Sequence, residues 1–147
     1  MSARTRLSIV TPSALKFQGE AELVVAPGTA GDLGALANHA PMLTTLRTGV
    51  VSATVARGQA GDDQSATRTS ERKQFAVNGG FMEILPDHVV ILTDLALSRE
   101  EIDVEAARAD LKRAEEALAQ KKGADDVQER RDVAWAHARL TITARPL

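Results

Sequence analysis

Cysteine is missing from this chain of 147 residues, and with it go disulfides, thiolate metal sites and cysteine nucleophiles. Tyrosine is absent too, leaving Phe17, Phe75, Phe81 and Trp135 as the only aromatic side chains besides histidine. Single-stranded nucleic acid is gripped by several exposed rings set beside basic residues. Scattered rings and a formal net charge of −2 offer neither that platform nor the electrostatic footprint of a nucleic-acid binder. No run of 18 apolar residues occurs, and the opening MSARTRLSIV lacks the apolar core of a signal peptide. The expectation is a soluble, cytosolic protein with no direct membrane insertion, which meets a membrane only through a partner.

What is present suffices for a packed core. Apolar residues make up 44% of the chain, and its length fits one ordinary domain or a small domain with an appendage. Between residues 7 and 95, short alternating or apolar runs are broken by glycine, proline and polar clusters, which reads as strands at sandwich-like spacing. Candidate strands cover 6–10, 15–18, 22–26, 42–46, 50–56, 74–77, 81–85 and 89–93. In VVSATVA at 50–56, Val51, Ala53 and Val55 share one face and Ser52 and Thr54 the other, so one face is buried. Residues 57–73, RGQAGDDQSATRTSERK, have no periodicity and read as a long hairpin connection, an insertion in a tolerant turn.

The composition changes at Ser98. SREE at 98–101 is a capping box. After it Val104, Ala107, Leu111, Ala114 and Leu118 recur at helical spacing, and Gly123 is the expected stop. A second helix is expected after Asp125 or Asp126, with Val133, Ala136, Leu140 and Ala144 as its stripe. The predicted fold is therefore β plus α: an N-terminal β-sandwich of about eight to ten short strands in 1–95, then a C-terminal antiparallel two-helix hairpin in 96–147. The helical seam is rich in alanine. Each buried methyl contributes about 0.8 kcal/mol, while ordering a backbone residue costs about 1–2 kcal/mol. Such a hairpin is marginal by itself, so it is either braced by its surroundings or able to leave them.

The stretch PGTAGDLGALANHAPMLTTLRTG, 27–49, organises the rest. Pro27-Gly28 starts a turn, Gly31 and Gly34 flank the lone carboxylate of Asp32, and Asn38-His39-Ala40-Pro41 closes the excursion. This reads as a structural and contact loop. The glycine spacing lacks the GK[ST] ending of a phosphate loop and runs into a strand instead of a helix. His39 stands at no metal-ligand spacing to His88 or His137. An alternative from another class is a small β-sandwich enzyme or ligand-binding protein with a helical appendage. That would need histidines and carboxylates clustered on inward-facing strand positions, and the pattern supplies none.

The same stretch resembles the epsilon subunit of bacterial F-type ATP synthases, in its G-x-x-G element and in NHAPMLTTL at 38–46. The likeness continues through NGGFMEI at 78–84 and PDHVVIL at 86–92 and fails over 57–73. The resemblance implies a non-catalytic central-stalk subunit that couples the gamma stalk to the membrane ring and inhibits ATP hydrolysis through its C-terminal helices. Its implied partners are the gamma subunit, the membrane c-ring and, when the hairpin extends, the alpha/beta catalytic head. Its implied place is the cytoplasmic face of the bacterial inner membrane, held peripherally through the complex. Asp32 and His39 match the family's ring-contact positions.

IDVEAA at 102–107 is similar to the family's nucleotide motif [IL]-D-x-x-R-A, but Ala106 occupies the arginine position. The planar, permanently charged fork is lost there. Glu83, Ile102, Asp103, Ala107 and Arg113 match positions used by ATP-binding members, so the implied nucleotide binding is weak and no cofactor is required. Without the resemblance, Asp103 is a first-turn carboxylate that complements the helix dipole. In the second helix arginines outnumber acids, and the resemblance gives Arg130, Arg131 and Arg139 an inhibitory contact with acidic segments of the head. Trp135, set between two alanines, needs cover.

Overall fold

The computed structural model describes residues 3–56, 70–122 and 125–144. Eight strands come first: β1 Thr5–Val10, β2 Leu15–Ala21, β3 Leu23–Gly28, β4 Gly31–Ala35, β5 Met42–Ala56, β6 Ser70–Ile84, β7 His88–Leu92 and β8 Ala96–Ser98. A one-turn 3₁₀ segment, Arg99–Glu101, leads to α1, Val104–Lys121, and α2, Val127–Thr143.

The strands form one hydrogen-bonded path, β2-β1-β7-β6-β5-β3-β4, with β8 added to β6. β1 runs parallel to β7, and every other pairing is antiparallel. The path closes on itself as a sandwich because β5 and β6, each 15 residues long, pass from one layer into the other. Their pairing keeps one register from Met42↔Ile84 to Ala56↔Ser70. The inward positions nevertheless change phase once in each strand. Leu46 and Val51 face the core in β5, as do Val77 and Met82 in β6, and the members of each pair are offset by an odd number of positions. The phase change in β6 falls at Gly79 and Gly80, whose φ angles are 75° and 122°. A Cβ at Gly80 would stand 2.0 Å from the Leu92 carbonyl oxygen, so only glycine fits. The two layers then face each other, with Phe17 of β2 and Phe75 of β6 in a tilted ring contact at 5.4 Å. Between them Leu7, Ile9, Val24, Met82, Ile84 and Ile91 are shut off from solvent.

The expected sandwich and helical hairpin are both present, with changes in the parts. The separate strands expected at 42–46 and 50–56 are one strand, and so are those at 74–77 and 81–85, because the glycines between them bend the ladder without ending it. β4 and β8 had no place in the expectation. Of the long connection expected at 57–73, residues 70–73 extend β6, and 57–69 lie outside the described residues.

The capping box opens the 3₁₀ turn and not the long helix. Glu101 Oε1 accepts from both the Ser98 N–H and its hydroxyl at 3.1 Å. Asp103 caps α1 separately, its Oδ1 accepting from Ala106 N at 3.1 Å. α1 ends at Lys121, with Lys122 in the left-handed region, φ 47°. The expected stop at Gly123 lies outside the described residues.

α1 buries only Ala107 and Ala114, and it packs on α2. α2 packs on both α1 and the outer side of β5 and β6. There Ala138 and Ile142 cover Ala76, with Val50, Ile102 and Trp135 around them. The hairpin is thus folded against the sandwich, and a small patch holds it. Among the described residues, no helix is long and apolar enough to cross a membrane.

Candidate functional site

Three surfaces gather the residues that composition and packing leave over for function. The first is the β3–β4 hairpin. Gly28 pairs with Gly31 at its tip, and a Cβ on Gly28 would come within 2.6 Å of the Gly31 carbonyl oxygen. Thr29 fastens the tip to β5, through N–H to the Thr45 carbonyl at 3.1 Å and hydroxyl to hydroxyl at 2.8 Å. Arg47 reaches across the same turn. Its Nη1 donates to the Gly28 carbonyl at 2.5 Å and its Nη2 to Asp32 Oδ1 at 2.6 Å. A planar fork suits this double task, since one guanidinium can bond two acceptors at a fixed separation. Asp32 is therefore exposed but not free, and Arg47 is a member of the site that sequence reading missed.

His39 lies elsewhere. Its loop is tethered at the other end of β5, where Asn38 N donates to the Pro86 carbonyl at 2.7 Å. Asn38 itself takes a left-handed φ of 65°. The His39 ring nitrogen Nδ1 stands 2.6 Å from the Ala40 carbonyl oxygen. About five residues of β5, roughly 16 Å of strand, separate Arg47 from Met42 beside that loop. The structure does not bring Asp32 and His39 into one cluster.

The second surface is an apolar row on the outer side of the layer that holds β1 and β7. Leu15, Val10, Leu92 and Phe81 are direct partners across four neighbouring strands, β2, β1, β7 and β6. Leu15, Leu92 and Phe81 remain 56%, 51% and 53% exposed, and Leu43 nearby is 69% exposed. The signal was in the sequence: Ile9-Val10, Phe81-Met82 and Ile91-Leu92 are apolar at adjacent positions, so both faces of these strands are apolar where one would serve the core.

The third surface is the seam of α1 and α2. A groove of about 340 Å³ between them is lined by Asp110, Arg113, Ala114, Ala117, Asp132, Trp135 and Arg139. Arg139 Nη1 donates to Asp110 Oδ2 at 3.0 Å, and Arg113 pairs with Asp110 Oδ1. These two guanidiniums, Arg139 foremost, hold the Asp110 carboxyl below the ordinary carboxylate range. Arg139 also lies over the Trp135 ring at 5.3 Å.

The residues matched to nucleotide binding are dispersed. Ile102 is part of the apolar patch under α2, Asp103 caps α1, and Ala107 is fully buried in the seam. Only Arg113 of the five lines the groove. Glu83 points outward from β6 between Leu43 and Val90. It is seven residues beyond Ala76, the β6 residue under α2, or roughly 20 Å of strand. The structure does not gather Glu83 with the other four. Two carboxylates in the groove also oppose a polyphosphate there. Of the three arginines expected to make inhibitory contacts, Arg130 and Arg131 are exposed, and Arg130 pairs with Asp126 at 2.9 Å, whereas Arg139 is engaged inside the seam.

Two family models match the chain. One, described as the beta-sandwich domain of the ATP synthase delta/epsilon chain, covers residues 4–99, and the other, its long alpha-helix domain, covers 100–142. The chain is 43% identical over 125 residues to the ATP synthase epsilon chain of Moorella thermoacetica, spanning 85% of this chain and 84% of that one. With the epsilon chain of Chromobacterium violaceum it shares 34% over 145 residues, 99% and 91% of the two lengths. Among solved structures, a chain of the Euglena gracilis mitochondrial ATP synthase, OSCP/F1/c-ring in rotational state 1, aligns with TM-score 0.71 and 20% identity over 97% of this chain and 82% of that one. A chain of the Tetrahymena thermophila mitochondrial ATP synthase central stalk/c-ring aligns with TM-score 0.57 and 13% identity over 97% and 98%. At these identities the structural likenesses speak for the fold alone.

Proposed function

The chain belongs to the ATP synthase epsilon family, a non-catalytic subunit of the synthase, and from that premise we propose that its sandwich joins the gamma stalk to the membrane c-ring while α1 and α2 restrain ATP hydrolysis. Family membership closes the alternative of a small β-sandwich enzyme. The observation that carries the coupling half is the exposed row Leu15–Val10–Leu92–Phe81, a ready-made apolar seat on a rigid sheet. On this reading the row receives the gamma subunit and the β3–β4 tip, with Asp32 held by Arg47, meets the ring. His39 belongs to a separate edge of the same contact surface.

The inhibitory half is supported by how little fastens the hairpin. α2 rests on the sandwich through a small apolar patch, and α1 packs on α2. Small patches open at low free energy, so the helices can leave while the sandwich keeps its own core. In the extended form α2 would meet the alpha/beta head with Arg130, Arg131 and Arg139. The subunit would then sit at the cytoplasmic face of the membrane, held there by the complex. ATP would bind weakly, since Ala106 supplies no fork and the candidate residues are dispersed.

Size exclusion with the gamma subunit tests the seat. Wild type should co-elute, and Phe81→Glu should elute alone with an unchanged circular dichroism spectrum; co-elution of that variant would move the seat elsewhere. A chain ending at Leu97 tests the brake. It should remain folded and bind gamma, and ATP hydrolysis by the reconstituted complex should rise.

A further inference from the structure

The arginines assigned to an acidic partner do not stand alike. Arg130 and Arg131 are on the solvent side of α2. Arg139 is withdrawn, with its side chain 12% exposed. Three contacts keep it there: Nη1 to Asp110 Oδ2 at 3.0 Å, Nε to the Trp135 carbonyl at 3.3 Å, and the guanidinium over the Trp135 ring. Asp110 takes Arg113 with its other oxygen, so one carboxylate stands between two cations of opposite helices. Trp135 in turn packs on the Ala76, Ala138 and Ile142 patch that seats α2 on the sheet. Arg139 therefore ties α1 to α2, as Lys121 does through Glu129 at 3.2 Å, and it also leans on the residue that ties α2 to the sandwich.

We propose that Arg139 is a switchable docking cation: Asp110 holds it in the closed hairpin, and an acidic segment of the catalytic head takes it when the helices part. The proposal rests on the inhibitory reading above and adds what sets its balance. Asp110 and the outside acid compete for one guanidinium, so closure and docking exclude each other at this residue. Arg130 and Arg131 are accessible in both states and carry no such discrimination. A ligand or partner shifts a two-state equilibrium only through contacts that differ between the states, and Arg139 is the arginine of the three whose contacts differ. Neutralising Asp110 acts twice, by freeing Arg139 and by leaving Arg113 and Arg139 without the carboxylate between them.

Trp135 is the only tryptophan in the chain, so acrylamide quenching of its fluorescence reads hairpin opening in the intact isolated protein. Asp110→Asn, Arg139→Gln and the double variant are compared with wild type by quenching, by circular dichroism, and by ATP hydrolysis in the reconstituted complex. Both single variants should raise quenching, with the open fraction increasing roughly three- to tenfold for a lost, partly buried charged hydrogen bond. Hydrolysis should move in opposite directions, down for Asp110→Asn and up for Arg139→Gln, with the double variant following Arg139→Gln. Movement in the same direction by both single variants would reduce the pair to a structural brace and overturn the switch. Unchanged quenching in both would overturn the latch. The complex with the chain ended at Leu97 separates the two levels: if its hydrolysis equals that of the wild-type complex, the inhibitory reading itself fails, and the docking half of the proposal fails with it.

Discussion

Lys16 Nζ lies 2.6 Å from Glu101 Oε2, joining β2, at one end of the sheet path, to the turn from which the helices depart. Glu101 gives its other oxygen to Ser98, and Ser98 is paired to Phe75 in the sheet. The 3₁₀ turn is thereby part of the sandwich. Ile102 and Asp103 link that turn to α1, both extended, at φ −96°, ψ 126° and φ −87°, ψ 108°.

That clamp has a pH signature. Hydrogen bonding from Lys16, then from Ser98, lowers the Glu101 pKa below its ordinary 4.5. A carboxylate with a depressed folded pKa adds stability that is fully present above the unfolded value and is lost as pH falls through the folded one. Lys16→Met should therefore lower the thermal midpoint modestly at neutral pH, as for a half-exposed pair contributing up to about 1 kcal/mol. The gap to wild type should shrink as pH falls below 4.5. A gap that persists in acid would assign the effect to the Lys16 stem and not to the ion pair.

At the β3–β4 tip, Asp32→Ala and Arg47→Ala each remove one end of the same fork. Both positions are exposed, so each variant should melt within a few degrees of wild type. If the tip meets the ring, both should weaken coupling of proton flow to ATP synthesis in membranes, and the double variant should be no worse than the poorer single one. An additive double variant would show that Arg47 and Asp32 act separately. His39→Ala, a strand's length away, should add its effect independently.

The groove between the helices makes a prediction about nucleotide. Ligand stabilisation grows only as the logarithm of concentration over dissociation constant. Millimolar ATP should shift the melting temperature of the isolated subunit little or not at all, because Asp110 and Asp132 line the groove and Ala106 stands where a fork is needed. A saturable shift at micromolar ATP would mean that Arg113 and Arg139 leave Asp110 for phosphate.

Much of this was legible in the residues. Alternation at Val51, Ala53 and Val55 determined a half-buried strand, since side chains on an extended chain must take turns between faces. The stripe of Val104, Ala107, Leu111, Ala114 and Leu118 determined an amphipathic helix, and the loop and strand motifs determined the family. Tertiary structure decided the rest. A stripe at helical spacing reports one buried face, and the reading found Val133, Ala136 and Leu140 but also expected Ala144, which is exposed at the C-cap of α2. It did not find Ala138 and Ile142, which are buried because α2 touches the sheet as well as α1. Asn78-Gly79-Gly80 reads as a stop in sequence, yet the ladder runs through it, because Gly80 lets β6 bend around the Leu92 carbonyl. Arg47 with Asp32, and Arg139 with Asp110, are separated by 15 and 29 positions. Local periodicity carries no information about such partners, which are chosen by where the completed sheet and the docked helix bring the side chains.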